Sequence, residues 1–160
     1  RSFMPQSQAQ RDLVAKMKLI PNESIIKDKS CVFLDDSIVR GTQLKDNVVD
    51  LHKAGIREVH MRIACPPLTF PCEFLNFSRS RSSMDLAAHK AVHQLEGTDN
   101  FDMKEYSEYG SEKYNAMVEQ IRKNLNVTSL KFQKLEDLIE AIGLPKEKVC
   151  THCWDGSSYF

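Results

Sequence analysis

The chain has 160 residues, of which 41% are hydrophobic and 28% charged, the proportions of a globular protein rather than of a disordered or fibrous one. Basic and acidic residues both number 22, so the net charge is zero and gives no support to a nucleic-acid or membrane-surface protein. No run approaches ~20 apolar residues, so no membrane span is predicted. The opening residues 1–5 lack the features of a signal peptide. We therefore expect a cytoplasmic protein, and we interpret this opening as the middle of a longer chain.

A β–α–β unit is predicted in the first half of the chain. Residues 30–34 form a short apolar run that ends at Asp35 and Asp36, a pattern typical of a strand buried on both faces of a parallel sheet. Thr42 is a suitable helix cap. The helix after it carries one apolar stripe, formed by Leu44, Val48 and Leu51. Residues 58–64 are predicted to form the next strand, so we expect a right-handed crossover and a parallel sheet.

The remainder of the chain is predicted to be mostly helical. Apolar stripes run through residues 85–95 and 111–125, and a short strand is predicted at residues 129–132. A further helix ends at Gly143, with a proline shortly after it. These elements continue the alternation of strand and helix that indicates an α/β fold.

The segment that runs from Val32 to Thr42, Val-Phe-Leu-Asp-Asp-Ser-Ile-Val-Arg-Gly-Thr, carries the most chemical information. Its strand places Asp35 and Asp36 at the carboxyl edge of the sheet, where α/β proteins bind ligands. The following loop supplies hydroxyl groups, the cation of Arg40 and backbone N–H groups just before a helix N-terminus, which favours a phosphate. This combination predicts a ligand that has a phosphate together with vicinal hydroxyls or a bound Mg²⁺.

Other types of acidic site share parts of this pattern. An Asp-Asp pair after an apolar strand also occurs in Walker B segments, but the chain has no Gly-x-x-x-x-Gly-Lys-Ser/Thr motif. Receiver-type acidic pockets pair carboxylates as well, but they do not need a loop of this composition. A solvated loop without function is the remaining alternative.

Residues 32–44 closely resemble the phosphoribosyl-pyrophosphate (PRPP) motif of type I phosphoribosyltransferases, and Asp-Asp-Ser-Ile-Val-Arg-Gly-Thr is similar to the form found in amidophosphoribosyltransferases. Residues 1–11 resemble the flexible loop of that family. Residues 16–19 and 54–60 also fit, as do the Pro-Pro and Pro-Cys pairs at 66–72 and the closing Cys-Thr-His-Cys-Trp-Asp-Gly. The resemblance covers most of the chain, and residues 78–128 are its least diagnostic part.

The resemblance implies a three-layer α/β fold with a parallel sheet, the type I phosphoribosyltransferase fold, incomplete on its N-terminal side. Residues 1–77 would be the PRPP-binding part, including the flexible loop. Residues 78–160 would form a C-terminal helical extension with a Cys-x-x-Cys tail.

The resemblance also implies an activity, the formation of 5-phosphoribosylamine from PRPP and glutamine-derived ammonia in purine biosynthesis. Asp35 and Asp36 would hold Mg²⁺ and the ribose hydroxyls. The 5′-phosphate would be held by Ser37, Ile38, Val39, Arg40, Gly41 and Thr42. The catalytic candidates on or beside the flexible loop, one of which would reach the pyrophosphate, are Arg1, Arg11 and Lys16.

The chain has five cysteines, for which metal, cluster and buried-thiol interpretations are all open. Cys-x-x-Cys spacing alone is ambiguous among zinc, cluster and redox use. By the resemblance, a [4Fe–4S] cluster would take Cys72, Cys150 and Cys153, with a fourth ligand outside this chain. Cys31 is interpreted as a core thiol, and Cys65 as a weaker core candidate or a substitute fourth ligand.

Two histidines and several partners complete the expectations. His89 and His93 lie four residues apart on one helix, a spacing that can bind metal, although a solvated pair is favoured. The family implies an upstream glutaminase domain and a homo-oligomer, with PRPP and glutamine or ammonia as substrates and with neither nucleic acid nor membrane as a partner. The isolated chain is expected to be inactive. The alternative is a non-catalytic PRPP- or nucleotide-binding module of the same fold.

Overall fold

The computed structural model describes residues 20–72, Phe74 and residues 83–157. Within them, no helix is both long and apolar enough to cross a membrane. The strands are β1 (Ser30–Asp35), β2 (Glu58–Ile63) and β3 (Ser129–Phe132). The helices are α1 (Glu23–Ile26), α2 (Thr42–Lys53), α3 (Ala87–Glu96), α4 (Glu112–Leu125), α5 (Leu135–Ile142) and α6 (His152–Asp155), with 3₁₀ turns at Ser83–Asp85, Met103–Tyr106 and Lys146–Lys148.

The three strands form one parallel sheet in the order β1-β2-β3. Asp35 lies opposite Ile63, and Ile63 lies opposite Phe132, so all three strands end at the same edge. Helix α2 connects β1 to β2, and α3 and α4 precede β3. The predicted α/β class and parallel sheet are confirmed.

One face of the sheet packs against helices α2, α3 and α4 and forms the apolar core. Alternate residues of β2 and β3 point into it because side chains along a strand alternate between the two faces. Those residues are Val59, Met61, Ile63, Leu130 and Phe132. Val48 of α2, Val92 of α3 and Met117 of α4 are each fully buried in the same core. The domain division between residues 77 and 78 remains a prediction, and strand β3 from the second part pairs with β2 from the first.

The opposite face of the sheet is largely exposed. Val32 and Leu34 of β1 are 62% and 82% exposed, although both are apolar. The prediction that β1 is buried on both faces is wrong for the described structure, because β1 is the edge strand of the described sheet and helices α2, α3 and α4 pack on the other face. The described residues therefore supply the sheet and one of the two helical layers that a three-layer fold contains.

Candidate functional site

Two adjacent carboxylates lie at the carboxyl edge of the sheet, as predicted. Asp35 is the last residue of β1, and its carbonyl oxygen accepts a 2.9 Å hydrogen bond from Ala64 N. The backbone N–H of Asp36 donates to Asp35 Oδ1 at 3.0 Å, and Ser37 Oγ donates to Asp36 Oδ1 at 3.2 Å. These contacts turn the chain sharply at the end of the strand and keep both carboxylates beside each other.

The electrostatics of the pair favour a bound cation. Partial burial raises the pKa of Asp35, the N–H of Asp36 lowers it, and the neighbouring charge of Asp36 raises it again. Two carboxylates this close repel each other, and a divalent cation between them would relieve that repulsion.

The loop that follows is anchored to the core at its centre. Ile38 is 5% exposed and belongs to the core, and Val39 accepts a 2.8 Å hydrogen bond from Ala87 N of helix α3. The flanking residues Arg40 and Thr42 remain exposed. The loop is therefore fixed at its centre and exposed on either side of it. Such a loop can present hydroxyl, guanidinium and backbone N–H groups to a ligand.

Gly41, rather than the predicted Thr42, is the cap of helix α2. Its φ of +73° lies in the left-handed region that favours glycine. Because glycine has no side chain, the first N–H groups of the helix make no hydrogen bond to an N-cap side chain. Thr42 is instead the first helical residue, so its hydroxyl and these N–H groups lie at the positive end of the helix dipole. The arrangement can hold a phosphate.

The donors present fit Mg²⁺ only together with a ligand that supplies further oxygens. Among the described residues, no group of three or more His, Cys, Asp or Glu side chains could hold a metal ion. Mg²⁺ commonly binds through one or two carboxylates, waters and substrate phosphates. Asp35 and Asp36 match that pattern, with the phosphate-bearing ligand completing the shell.

Cys72, in the middle of the chain, interacts with a cysteine near the C-terminal end of the described residues. Cys153 is hydrogen-bonded to the buried thiol of Cys72 and is influenced by the charge of Cys150. Burial first, and then Cys72, raise the pKa of Cys153 to about 12. Cysteine thiolates are the donors that iron–sulfur clusters take, but these three cysteines do not form a group that could hold a metal in the described part of the chain.

Cys65 faces a different set of groups. Burial is the main cause that raises the pKa of its thiol to about 11; the Trp154 side chain lowers that pKa, and the charges of Asp36 and Asp35 raise it. The structure thus associates Cys65 with the acidic pair, whereas Cys153 is associated with Cys72 and Cys150. The effect of Trp154 on Cys65 links distant parts of the chain, and no local sequence pattern indicates it.

The two histidines of helix α3 have separate structural roles. His89 is buried and donates from Nε2 to the carbonyl oxygen of Thr69 at 2.7 Å, so the prediction of a solvated pair is wrong for His89. Burial lowers the pKa of His89. His93 instead lies 2.8 Å from the carboxylate of Asp99. Cys31 packs half-buried against the core, in keeping with its interpretation as a core thiol.

Three predicted site residues cannot be placed. Arg1, Arg11 and Lys16 all lie outside the described residues, as does the whole predicted flexible loop. Their catalytic role therefore stays a prediction from the resemblance.

Curated proteins similar in sequence to this chain share one name. No protein-family model matches the chain. The amidophosphoribosyltransferase of Methanothermobacter thermautotrophicus is 33% identical over 98% of the chain, which covers 27% of that protein. The chloroplastic amidophosphoribosyltransferase of Glycine max is also 33% identical over 98% of the chain, and 23% of that protein is covered. The chain thus spans about a quarter of the length of these relatives.

Solved structures point to the same family. Glutamine PRPP amidotransferase from B. subtilis, complexed with ADP and GMP, matches 99% of the chain and 30% of its own length, with a TM-score of 0.66 and 28% identity. A structure described as the allosteric regulatory enzyme of purine biosynthesis matches 99% of the chain and 29% of its own length, with a TM-score of 0.62 and 25% identity. Over nearly the whole of its length, this chain is therefore similar in sequence and in fold to one part of the amidophosphoribosyltransferases.

Proposed function

We propose that the chain is the C-terminal portion of a glutamine amidophosphoribosyltransferase and contributes its PRPP site. The longer protein would form 5-phosphoribosylamine from PRPP and glutamine-derived ammonia, a step of purine biosynthesis. The observation that supports this most directly is the adjacency of Asp35 and Asp36 to a helix N-terminus that no N-cap side chain covers.

Each half of this site suits a different part of PRPP. Asp35 and Asp36 would bind the ribose hydroxyls and a Mg²⁺ ion whose other ligands come from the pyrophosphate and water. The 5′-phosphate would lie in the loop at the start of helix α2, where N–H and hydroxyl donors converge. That loop comprises Ser37, Ile38, Val39, Arg40, Gly41 and Thr42.

The reaction would be a displacement at the ribose C1. Ammonia forms a bond to C1 as the bond to pyrophosphate breaks, and positive charge develops on the ribose ring in between. Carboxylates beside the ribose stabilise that charge, and cationic groups stabilise the leaving pyrophosphate. Arg1, Arg11 and Lys16 are the candidates for the second role, and their segment would exclude water from the site.

The remaining assignments follow the same proposal. Cys72, Cys150 and Cys153 would be three ligands of a [4Fe–4S] cluster whose fourth ligand lies outside this chain. The partner in the longer protein would be a glutaminase domain that supplies ammonia, and we expect a cytoplasmic homo-oligomer. Residues 1–77 would carry the PRPP site and residues 78–160 the helical extension.

Calorimetric titration of the chain with PRPP in the presence of Mg²⁺ tests the site. We expect the Asp35→Asn/Asp36→Asn variant to bind at least about tenfold more weakly, since a tenfold change corresponds to about 1.4 kcal/mol and two ligands are removed. The matched control is Asp46→Asn/Asp50→Asn, which removes two carboxylates from helix α2 away from the sheet edge. Equal affinities in all three proteins, or no binding by the parent chain, would contradict the proposal.

Turnover by the chain alone is expected to be absent. The chain spans about a quarter of its relatives, so a pyrophosphate-release assay with Mg²⁺, PRPP and either glutamine or ammonia should give the buffer rate. Pyrophosphate release above that rate would show that these 160 residues suffice for catalysis.

A further inference from the structure

The first turn of helix α3 supports the loop of residues 37–42, which we call the phosphate loop. The backbone N–H of Ala87, the first residue of the helix, donates to the carbonyl oxygen of Val39 at 2.8 Å. A Cβ atom added to Gly41 would lie 3.7 Å from the Cβ of Ala87, so the backbone of the loop also packs against this residue. Ala87 and the preceding Leu86 are both buried. The position of the phosphate loop therefore depends on where the first turn of α3 lies.

The same turn of α3 holds the segment that follows strand β2. His89, which follows Ala87 closely in this helix, donates from Nε2 to the carbonyl oxygen of Thr69 at 2.7 Å. Both partners are buried, so water does not compete for this hydrogen bond. The ring of Phe101 packs against the imidazole, with 5.8 Å between the two ring centroids. The imidazole therefore has a defined position, from which it fixes Thr69 relative to α3.

Thr69 and its neighbour in turn fix the C-terminal helix α6. The backbone N–H groups of Thr69 and Phe70 both donate to the carbonyl oxygen of Cys153, at 2.9 and 3.0 Å. The hydroxyl of Thr69 donates to the carbonyl oxygen of Trp154 at 2.8 Å. Gly156, the C-cap of α6, lies so close to the ring of Phe70 that an added Cβ would be 2.8 Å from its outermost carbon. Helix α6 is therefore joined to helix α3 through this short segment.

We infer that His89 is a positioning residue: it links the phosphate loop to the C-terminal helix α6, so that a displacement of either one moves the other. The link runs from Val39 through the first turn of α3 to Thr69 and on to Cys153, and its steps outside α3 are hydrogen bonds of 2.7–2.9 Å. A displacement passes along such a chain of contacts because a close-packed core has little empty space to absorb it. The part of this inference that concerns PRPP rests on the proposed function. The link itself does not.

The link can be tested without ligand in a ¹⁵N–¹H spectrum. The backbone amide of Gly41 reports on the phosphate loop, and the indole of Trp154, the only tryptophan of the chain, reports on α6. We expect His89→Leu to shift both signals, and His89→Gln, which keeps a side-chain donor, to return both towards the parent positions. Because glutamine also lacks the imidazole ring, that return separates the hydrogen bond from a ring-current effect.

His93→Leu is the matched control, because His93 lies on the same helix and pairs with Asp99 instead. It should leave both signals in place. A role of His89 in stability alone would lower the unfolding midpoint without moving the signals of the folded protein. A Gly41 signal that stays in place in His89→Leu, or that moves equally in His93→Leu, would overturn the inference whether or not PRPP binds.

A second pair of variants displaces the link from its other end and does not depend on the folding of His89→Leu. Gly156→Ala adds a Cβ against the ring of Phe70, at a φ of +69°. Gly143→Ala brings the same backbone strain, at a φ of +72°, but its Cβ meets nothing within 4 Å. We expect the Gly41 amide to shift in Gly156→Ala and not in Gly143→Ala. An unchanged Gly41 signal in Gly156→Ala contradicts the link.

Titration with Mg²⁺ and PRPP tests the consequence for the ligand. We expect His89→Leu to bind PRPP about 3- to 10-fold more weakly, the range of one neutral hydrogen bond, because the phosphate loop loses part of its support. His89→Gln and His93→Leu should bind as the parent chain does. Unchanged affinity in His89→Leu overturns the role of the link in ligand binding and leaves the proposed function standing. No binding by the parent chain rejects the proposed function, whereas the signals of Gly41 and Trp154 still decide the link itself.

Discussion

The two faces of the described sheet have very different surroundings. On the covered face, Val59, Met61 and Ile63 are each at most 3% exposed. On the open face, the intervening residues of the same strand β2 are half-buried, and Leu34 of the neighbouring strand β1 is 82% exposed. Because alternate residues of one strand experience such different surroundings, strand propensity alone says little about what a residue contributes.

The open face is not simply apolar. A row of polar side chains crosses it, in which His60 Nδ1 lies 2.8 Å from Ser129 Oγ, and Arg62 donates to the same oxygen at 3.0 Å. His60 Nε2 lies 3.1 Å from Ser30 Oγ on the other neighbouring strand. This row links polar side chains of all three strands across the face. We therefore expect side chains of the covered face to contribute most of the free energy of unfolding of the described fold, and those of the open face to contribute mainly local contacts.

Truncation of one residue on each face should give the largest contrast. We expect Met61→Ala to lower the free energy of unfolding by about 2–4 kcal/mol, because it opens a cavity in a packed core. Leu34→Ala should change it by less than about 0.5 kcal/mol, since the side chain is already in water. Urea unfolding followed by circular dichroism measures both. Similar losses for the two variants would mean that the open face is buried in the molecule in solution.

The local parts of this structure were predictable. The acidic pair and the loop after it are contiguous in sequence, so residues 30–42 alone predict the strand end and the loop, and they predict the helix start to within one residue. The parallel sheet was predictable for a similar reason, because a single helix between two strands implies a crossover.

The contacts between distant segments were not predictable. The hydrogen bond from Thr69 to the carbonyl oxygen of Trp154 and the one from His89 to Thr69 depend on where whole elements come to lie. The exposure of β1 was missed for a related reason. An apolar run shows that a strand is suited to burial, but it does not show that another part of the protein covers the strand. The cap of helix α2 was missed by one residue because Thr42 has the better side chain, whereas the left-handed backbone at that position requires Gly41.

On the covered face, the titration of His89 should make the free energy of unfolding depend on pH. Its pKa is lowered by burial, so between that value and the ordinary value near 6.5 the unfolded chain binds more protons than the folded one. Stability therefore falls as the pH decreases through and below about 6.5. Urea unfolding at pH 7.5 and pH 5.5 should show this loss. We expect it to be smaller in His89→Gln, which keeps a donor for the carbonyl of Thr69 but does not titrate. The same loss in both proteins would exclude His89 as its source.

The smallest expected effect lies on the open face, at Glu58. The hydrogen bond from Ser30 first, and then the one from His60, lower the pKa of Glu58. We expect Ser30→Ala to raise that pKa towards its ordinary value, as measured by NMR titration of the side-chain carboxyl. Ser129→Ala is the matched control, because Ser129 contacts His60 and Arg62 on the same face.

The consequence for stability has a defined sign and a small size. A carboxyl with a lowered pKa stabilises the fold above its ordinary pKa, and that contribution disappears as the pH falls through the folded value. Because Glu58 is in contact with solvent, water and salt screen most of the interaction, so Ser30→Ala should move the carboxyl titration clearly and the unfolding midpoint hardly at all. A large loss of stability in Ser30→Ala, comparable to that of Met61→Ala, would show instead that the polar row on the open face is buried and that the two faces of the sheet contribute alike.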